Sequence, residues 1–280
     1  MPGLRTFAGA VALVTGGASG IGAALGRDLA RRGASVVLAD RDAAEANAVA
    51  ARIAATGGRA ETRALDVRDA TAVEGAVADV FTRHGRLDYL FNNAGIAVGG
   101  EVADLRLEDW RDAVEVNLMG VVHGIQTAWP RLAEQGFGHV VNTASMAVFL
   151  PTALAAPYGT TKSAVLALSL ALRLEGEPRG LRVSALCPGV IRTPILDGGR
   201  HGRLRNFIPR DALMALNESL RPMDADRFAR KALDDVARDK HVIVHPAGWR
   251  VVCFLQRTAP WLVRAMSRRE YAKVRPLLGK

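Results

Sequence analysis

Ala10-Val-Ala-Leu-Val-Thr-Gly-Gly-Ala-Ser-Gly-Ile-Gly22 is the stretch that decides the fold. An apolar run over Ala10–Val14 breaks into glycines, and helical spacing then takes over through Ile21–Arg32. A strand that feeds a glycine turn opening a helix is the context in which a dinucleotide pyrophosphate is held. Gly16, Gly20 and Gly22 let the backbone approach a phosphate with no Cβ in the way. The helix start, with Ser19 and Ile21, offers unsatisfied N–H groups and a positive dipole end. Taken alone, the stretch fits a tight turn without a ligand equally well.

Outward from it, Ser35–Ala39 is a second apolar run ending at Asp40, and Asp42–Ala55 is alanine-rich and helical. Further strands are expected at Ala60–Leu65, Leu87–Phe91, His139–Thr143, Leu181–Leu186 and His241–Val244. Helices are expected over Leu107–Glu134, Tyr158–Glu175 and Asp224–Arg238. Strands separated by helices pair in parallel, with both faces of the sheet covered. Right-handed crossovers then predict an α/β fold: a doubly wound, Rossmann-like parallel sheet of about seven strands with helices on both faces. We expect one catalytic domain over residues 1–246, with a substrate lid at 194–221, and a basic extension over 247–280.

The 280 residues are 49% hydrophobic and 23% charged, which is globular usage. Met1-Pro-Gly-Leu-Arg-Thr-Phe7 is too short and too weakly apolar for a signal peptide. His139–Thr161 carries no formal charge, yet Asn142, Thr143, Ser145, Pro151 and Pro157 interrupt it, so it reads as strand and loop rather than a membrane span. Cys187 and Cys253 form neither a disulfide framework nor a metal cluster, and the six histidines lack ligand spacing. No metal is expected, and the protein is expected to be cytoplasmic.

Tyr158 and Lys162 stand one helical turn apart on one face. A free phenol titrates near ~10, and a neighbouring ammonium lowers that value by favouring the phenolate. Tyr158 is then expected to exchange a proton with an alcohol or carbonyl oxygen that Ser145 also holds. Asp40 can accept hydrogen bonds from adenosine ribose hydroxyls and repel a 2′-phosphate, which predicts NAD over NADP. Arg41 beside it argues the other way.

Thr15–Gly22, Asn92-Asn-Ala-Gly95, Ser145 and Tyr158-Gly-Thr-Thr-Lys162, in this order, closely resemble the short-chain dehydrogenase/reductases. The turn has their GxxxGxG spacing, and the resemblance covers residues 8–246. It implies that Asp66 and Val67 flank the adenine, although Asp66 also fits a helix cap. It implies that Asn93, Ala94 and Gly95 line the cofactor cleft, and that Lys162 also binds the nicotinamide ribose. Asn117, in Val116-Asn-Leu-Met-Gly120, is similar to the family asparagine that interrupts a helix and holds a water beside the lysine. Pro188, Gly189, Ile191 and Thr193 match the segment placed at the nicotinamide carboxamide. The helices over Leu107–Glu134 and Tyr158–Glu175 are the family's usual dimer surface, which implies a homodimer or homotetramer.

Substrate identity is expected to reside in Pro194–Arg221. Leu196, Leu204, Phe207, Ile208, Leu213, Met214 and Leu216, with Val148, Phe149 and Leu150, predict a greasy pocket for a ring-like alcohol or ketone such as a steroid or terpene. Arg200, His201, Arg203, Arg205 and Arg210, set against Asp197, Asp211 and Glu218, suit either an anionic acyl thioester or a solvated loop. A noncatalytic cofactor sensor is the remaining class, and the retained tyrosine and lysine argue against it. From Pro246 onward, eight cations face Glu270 alone, so the tail supplies +7 of the net +9. It reads as two amphipathic helices broken at Pro260. They are expected to pack over the cleft or a subunit interface, or to touch an anionic membrane; no nucleic-acid recognition motif accompanies them.

Overall fold

The computed structural model describes residues 3–205 and 208–278. Its strands are β1 (Val11–Thr15), β2 (Ser35–Asp40), β3 (Arg59–Ala64), β4 (Tyr89–Asn92), β5 (Gly138–Thr143), β6 (Leu181–Pro188) and β7 (Val242–His245). They form one seven-stranded sheet in the order β3-β2-β1-β4-β5-β6-β7. Every pairing in it is parallel. β1 explains the layering: Ala12 and Val14 enter one core, Val11 and Leu13 the other. Because both faces are covered, its five residues are all buried and read as an unbroken apolar run.

The helices are α1 (Gly20–Arg31), α2 (Ala43–Ala55), α3 (Ala70–His84), α4 (Leu107–Val114), α5 (Gly120–Gln135), α6 (Ala156–Gly176), α7 (Arg210–Ser219), α8 (Ala225–Ala237), α9 (Trp249–Thr258) and α10 (Pro260–Val274). α1, α2 and α8 cover one sheet face through Leu25, Ile53 and Phe228. α3, α5 and α6 cover the other through Val77, Ile125 and Val165. The helical stretch expected over Leu107–Glu134 is interrupted at Asn117, as the family resemblance implied: a π turn at Glu115–Met119 divides it into α4 and α5. The cap of α3 is Asp69, whose carboxylate accepts from Ala72 N at 3.0 Å; Asp66 instead pairs with Arg68 at 2.6 Å.

The lid begins as a 3-10 turn at Pro194–Asp197. Arg203 and Leu204 then pair in parallel with Val98 and Gly99. Beyond β7, Pro260 opens α10 because its missing N–H is harmless in a first turn. No helix among the described residues is long and apolar enough to cross a membrane.

Candidate active site

The chain leaves β1 in one direction to build β2 and β3, then returns to place β4 on the other side. Open α/β sheets bind ligands beyond the carboxyl ends of the strands at such a switch point. The glycine turn and Asn92–Gly95 meet there. Gly16 has φ +66, and a Cβ on it would stand 2.8 Å from Ala94 Cα. One on Gly22 would stand 2.0 Å from the Gly16 carbonyl oxygen, and one on Gly20 would press on Thr193 at 3.2 Å. Asn93 clamps the turn by donating from Nδ2 to the Thr15 carbonyl at 3.1 Å. The Thr15 hydroxyl accepts from the backbone of Asn93 at 3.0 Å and of Ala94 at 3.1 Å. Thr15, at the head of the motif, thereby ties the Asn92–Gly95 loop to the glycine turn.

The first turn of α1 holds no acidic residue, and the Ser19 side chain makes no capping bond. Its N-terminal N–H groups therefore suit an anion such as a pyrophosphate. Ile21 follows within that turn. At the end of β2, Asp40 accepts from Ala18 N and Asp42 N, each at 3.0 Å. Burial raises its carboxyl above the usual range. Arg41 beside it is exposed. Arg68 holds the Asp66 carboxyl below its ordinary value. Val67 is buried, and its carbonyl accepts from His123 Nδ1 at 2.9 Å. This cradle fits a nicotinamide dinucleotide, held by the glycine turn and Asp40.

α6 carries Tyr158 and Lys162, β5 leads to Ser145, and the π turn supplies Asn117. Asn117 accepts from Ile96 N at 2.8 Å and donates to Ile96 O at 3.1 Å, so it holds the Asn92–Gly95 loop directly. Lys162 donates to the Thr143 carbonyl at 2.7 Å. The two side chains converge on Gly95, where a Cβ would lie 3.2 Å from Asn117 Oδ1 and 3.3 Å from Lys162 Nζ. Lys162 Nζ is 5.9 Å from the centre of the Tyr158 ring. Ser145 Oγ accepts from Ala147 N at 3.1 Å, and its hydroxyl pulls the Tyr158 phenol down against the burial that raises it.

The Tyr158 phenol is raised rather than lowered, because burial outweighs the Ser145 hydrogen bond. Burial also pushes Lys162 down to about 8. The ammonium's direct partner is the Thr143 carbonyl, which does not favour a phenolate.

After β6, Gly189 N donates to the His245 carbonyl at 2.9 Å. Pro188 ends β6, and buried Ile191 pairs with Met223. Thr193 reaches back to Gly20. Cys187 is buried, its thiol pushed up to about 12, which makes it a small hydrophobe rather than a nucleophile. The tail adds residues that no sequence pattern marked. A Cβ on Gly189 would stand 2.5 Å from Trp249 Nε1, and Cys253 Sγ lies 3.8 Å from Sδ of Met146, the neighbour of Ser145.

The lid arginines are occupied. Arg200 pairs with Asp42, Arg203 with Asp112 at 3.1 Å, Arg205 with buried Asp109 at 2.9 Å, and Arg210 with Asp197 at 3.0 Å. Arg200, Arg203 and Arg205 tie the segment to Asp42 and α4, while Arg210 pairs within it. Leu204, Ile208, Leu213 and Leu216 likewise pack with Leu154, before α6, and with Val274 and Leu278 of the tail. Met214 is exposed, and Phe207 lies outside the described residues. Among the described residues no group of three or more His, Cys, Asp or Glu could hold a metal ion.

The chain belongs to the short-chain dehydrogenase/reductase family: residues 10–203 match the model described as short chain dehydrogenase. It is 42% identical over 189 residues to the 2,5-dichloro-2,5-cyclohexadiene-1,4-diol dehydrogenase LinX of Sphingobium indicum, covering 68% of this chain and 76% of the relative. It is 37% identical over 205 residues to the D-threitol dehydrogenase of Mycolicibacterium smegmatis, covering 72% and 79%. A short-chain dehydrogenase/reductase from Burkholderia phymatum, solved in complex with NAD, superposes with a TM-score of 0.79 at 30% identity, covering 89% of this chain and 93% of that one. The protein is thus an oxidoreductase acting on CH–OH groups, in a family that binds a nicotinamide cofactor and works on small molecules.

Proposed function

We propose that this chain is an NAD-preferring dehydrogenase/reductase of a hydrophobic, ring-bearing secondary alcohol or the matching ketone. The observation that carries the reading is the meeting of Asn117 and Lys162 at Gly95, beside the glycine turn, with the Tyr158 ring over Lys162 and Ser145 acting on the Tyr158 phenol. Tyr158 exchanges the proton at its phenolic oxygen. With its phenol raised by burial it is protonated at neutral pH, ready to donate to a carbonyl oxygen. Ser145 orients that oxygen, Lys162 carries charge beneath the tyrosine, and Asn117 positions the loop between them. When bound, the dinucleotide supplies the hydride exchange and, in its oxidised form, a positive ring that favours the phenolate. Asp40 supports NAD, since a carboxylate at the ribose corner repels a 2′-phosphate.

A ring-bearing substrate is supported by the cyclic diol in the name of the 42% identical relative and by apolar Met146, Val148 and Trp249 near Ser145 and Gly189. The paired lid arginines leave the thioester reading without support. A homodimer or homotetramer through α4, α5 and α6 is part of the proposal, because Leu107, Val114, Leu170 and Leu174 are exposed on α4 and α6. The test is nicotinamide absorbance with NAD or NADP and a panel of cyclic diols, steroidal alcohols, linear polyols and hydroxyacyl thioesters. NAD-linked turnover, fastest on a ring alcohol, is expected; a thioester as best substrate would overturn it.

A further inference from the structure

α9 and α10 have two unlike faces. Their inner face packs on the domain through Trp249, Cys253, buried Val263 and Val274. The outer face holds Val251, Phe254 and Trp261, which are 61%, 64% and 67% exposed. Helical spacing aligns Phe254 with Arg250 and Arg257 on α9, and Trp261 with Arg264 and Arg268 on α10, all exposed. Among the described residues, Arg257, Arg264, Arg268, Arg269 and Arg275 have no carboxylate partner, unlike the lid arginines.

We propose that this outer face docks on the surface of an anionic phospholipid bilayer. Exposed aromatic and aliphatic side chains interleaved with unpaired guanidiniums match that boundary, where apolar groups enter the acyl edge and cations meet lipid phosphates. A nucleic acid would engage the cations and leave Val251, Phe254 and Trp261 in water. A second copy offers little charge complement, because the tail carries +7 of the chain's +9 and the remainder is itself positive. Docking this way turns the Met146 and Gly189 side of the cleft toward the lipid. That consequence rests on the functional reading above; the docking itself does not.

The experiment is co-sedimentation of the full chain with phosphatidylcholine vesicles, with and without phosphatidylglycerol, alongside light scattering and circular dichroism. Binding to the anionic vesicles alone, released by high salt, is expected. The triple variant Arg257→Gln, Arg264→Gln, Arg268→Gln should weaken it about a hundredfold, at about a factor of five per guanidinium. Trp261→Gln should weaken it too, with turnover unchanged in both variants. Should the triple variant misfold, the parent's own dependence on phosphatidylglycerol and salt decides the matter. Three results would overturn the proposal: no binding by folded parent, equal binding to neutral vesicles, or a Trp261→Gln variant that binds lipid fully but falls from oligomer to monomer. Capture of an oligonucleotide without capture of vesicles would overturn it as well.

Discussion

The ammonium of Lys162 donates to the carbonyl of Thr143 at 2.7 Å, tying α6 to the carboxyl end of β5. This bond places the lysine under the tyrosine ring, where burial raises the Tyr158 phenol and pushes Lys162 down to about 8; on that arrangement rests the proposal that Tyr158 is the acid.

Tyr158→Phe removes the exchangeable proton and little volume. Turnover should fall by about 10²–10⁴, the usual worth of a positioned acid–base group. NADH binding, followed by fluorescence, should be unchanged. Parent-like turnover in the variant would refute the assignment.

Lys162 gives a pH signature in stability. Its value falls from an ordinary 10.5 to about 8 in the fold, so between these limits the unfolded chain binds more protons. Stability from this group therefore rises as pH goes from 8 to 10.5, by on the order of 3 kcal/mol in total. Urea unfolding of the parent should show this rise relative to Lys162→Met. Parallel curves for the two proteins would mean that the lysine is not desolvated.

Asp40→Ala should move cofactor preference toward NADP. Losing hydrogen bonds to a charged group costs about 1.5–3 kcal/mol, or roughly 10–100-fold in the NAD to NADP ratio of kcat/KM. A ratio that stays constant would show that another group reads the ribose.

Arg205 and Asp109 form a latch in which the carboxylate is buried. Arg205→Ala should speed limited proteolysis across Gly198–Arg205 several-fold and leave the preference between neutral and anionic substrates unaltered. A selective loss of activity on thioesters would instead revive the anionic-substrate reading.

Leu174 is 72% exposed on α6. Leu174→Asp should convert the proposed homo-oligomer toward monomer in light scattering. A parent that is already monomeric would remove that part of the proposal.

Most of the sheet was legible because strands buried on both faces are continuous apolar runs; the edge strand β3, Arg59-Ala-Glu-Thr-Arg-Ala64, is polar with no buried residue, yet each expected strand lies within a residue or two of its place. α3 was harder to see, since Ala70–His84 mixes alanine, valine and polar residues without a clean stripe and takes its limits from Asp69 and the left-handed Gly85. The break at Asn117 is a π turn held by two hydrogen bonds to Ile96, twenty-one residues away in the chain, and helical periodicity carries no trace of that contact.

The sequence alone determined the α/β order, the glycine turn and the placing of Tyr158 one turn from Lys162, because strand and helix periods and glycine's freedom are local properties. Tertiary structure decided the rest. Burial raised Tyr158 and lowered Lys162, Asp42 at the cap of α2 and carboxylates of α4 claimed Arg200, Arg203 and Arg205, and Trp249 came to lie against Gly189. Each depends on which distant groups share a desolvated space, and titration and pairing follow the dielectric and the neighbours found there.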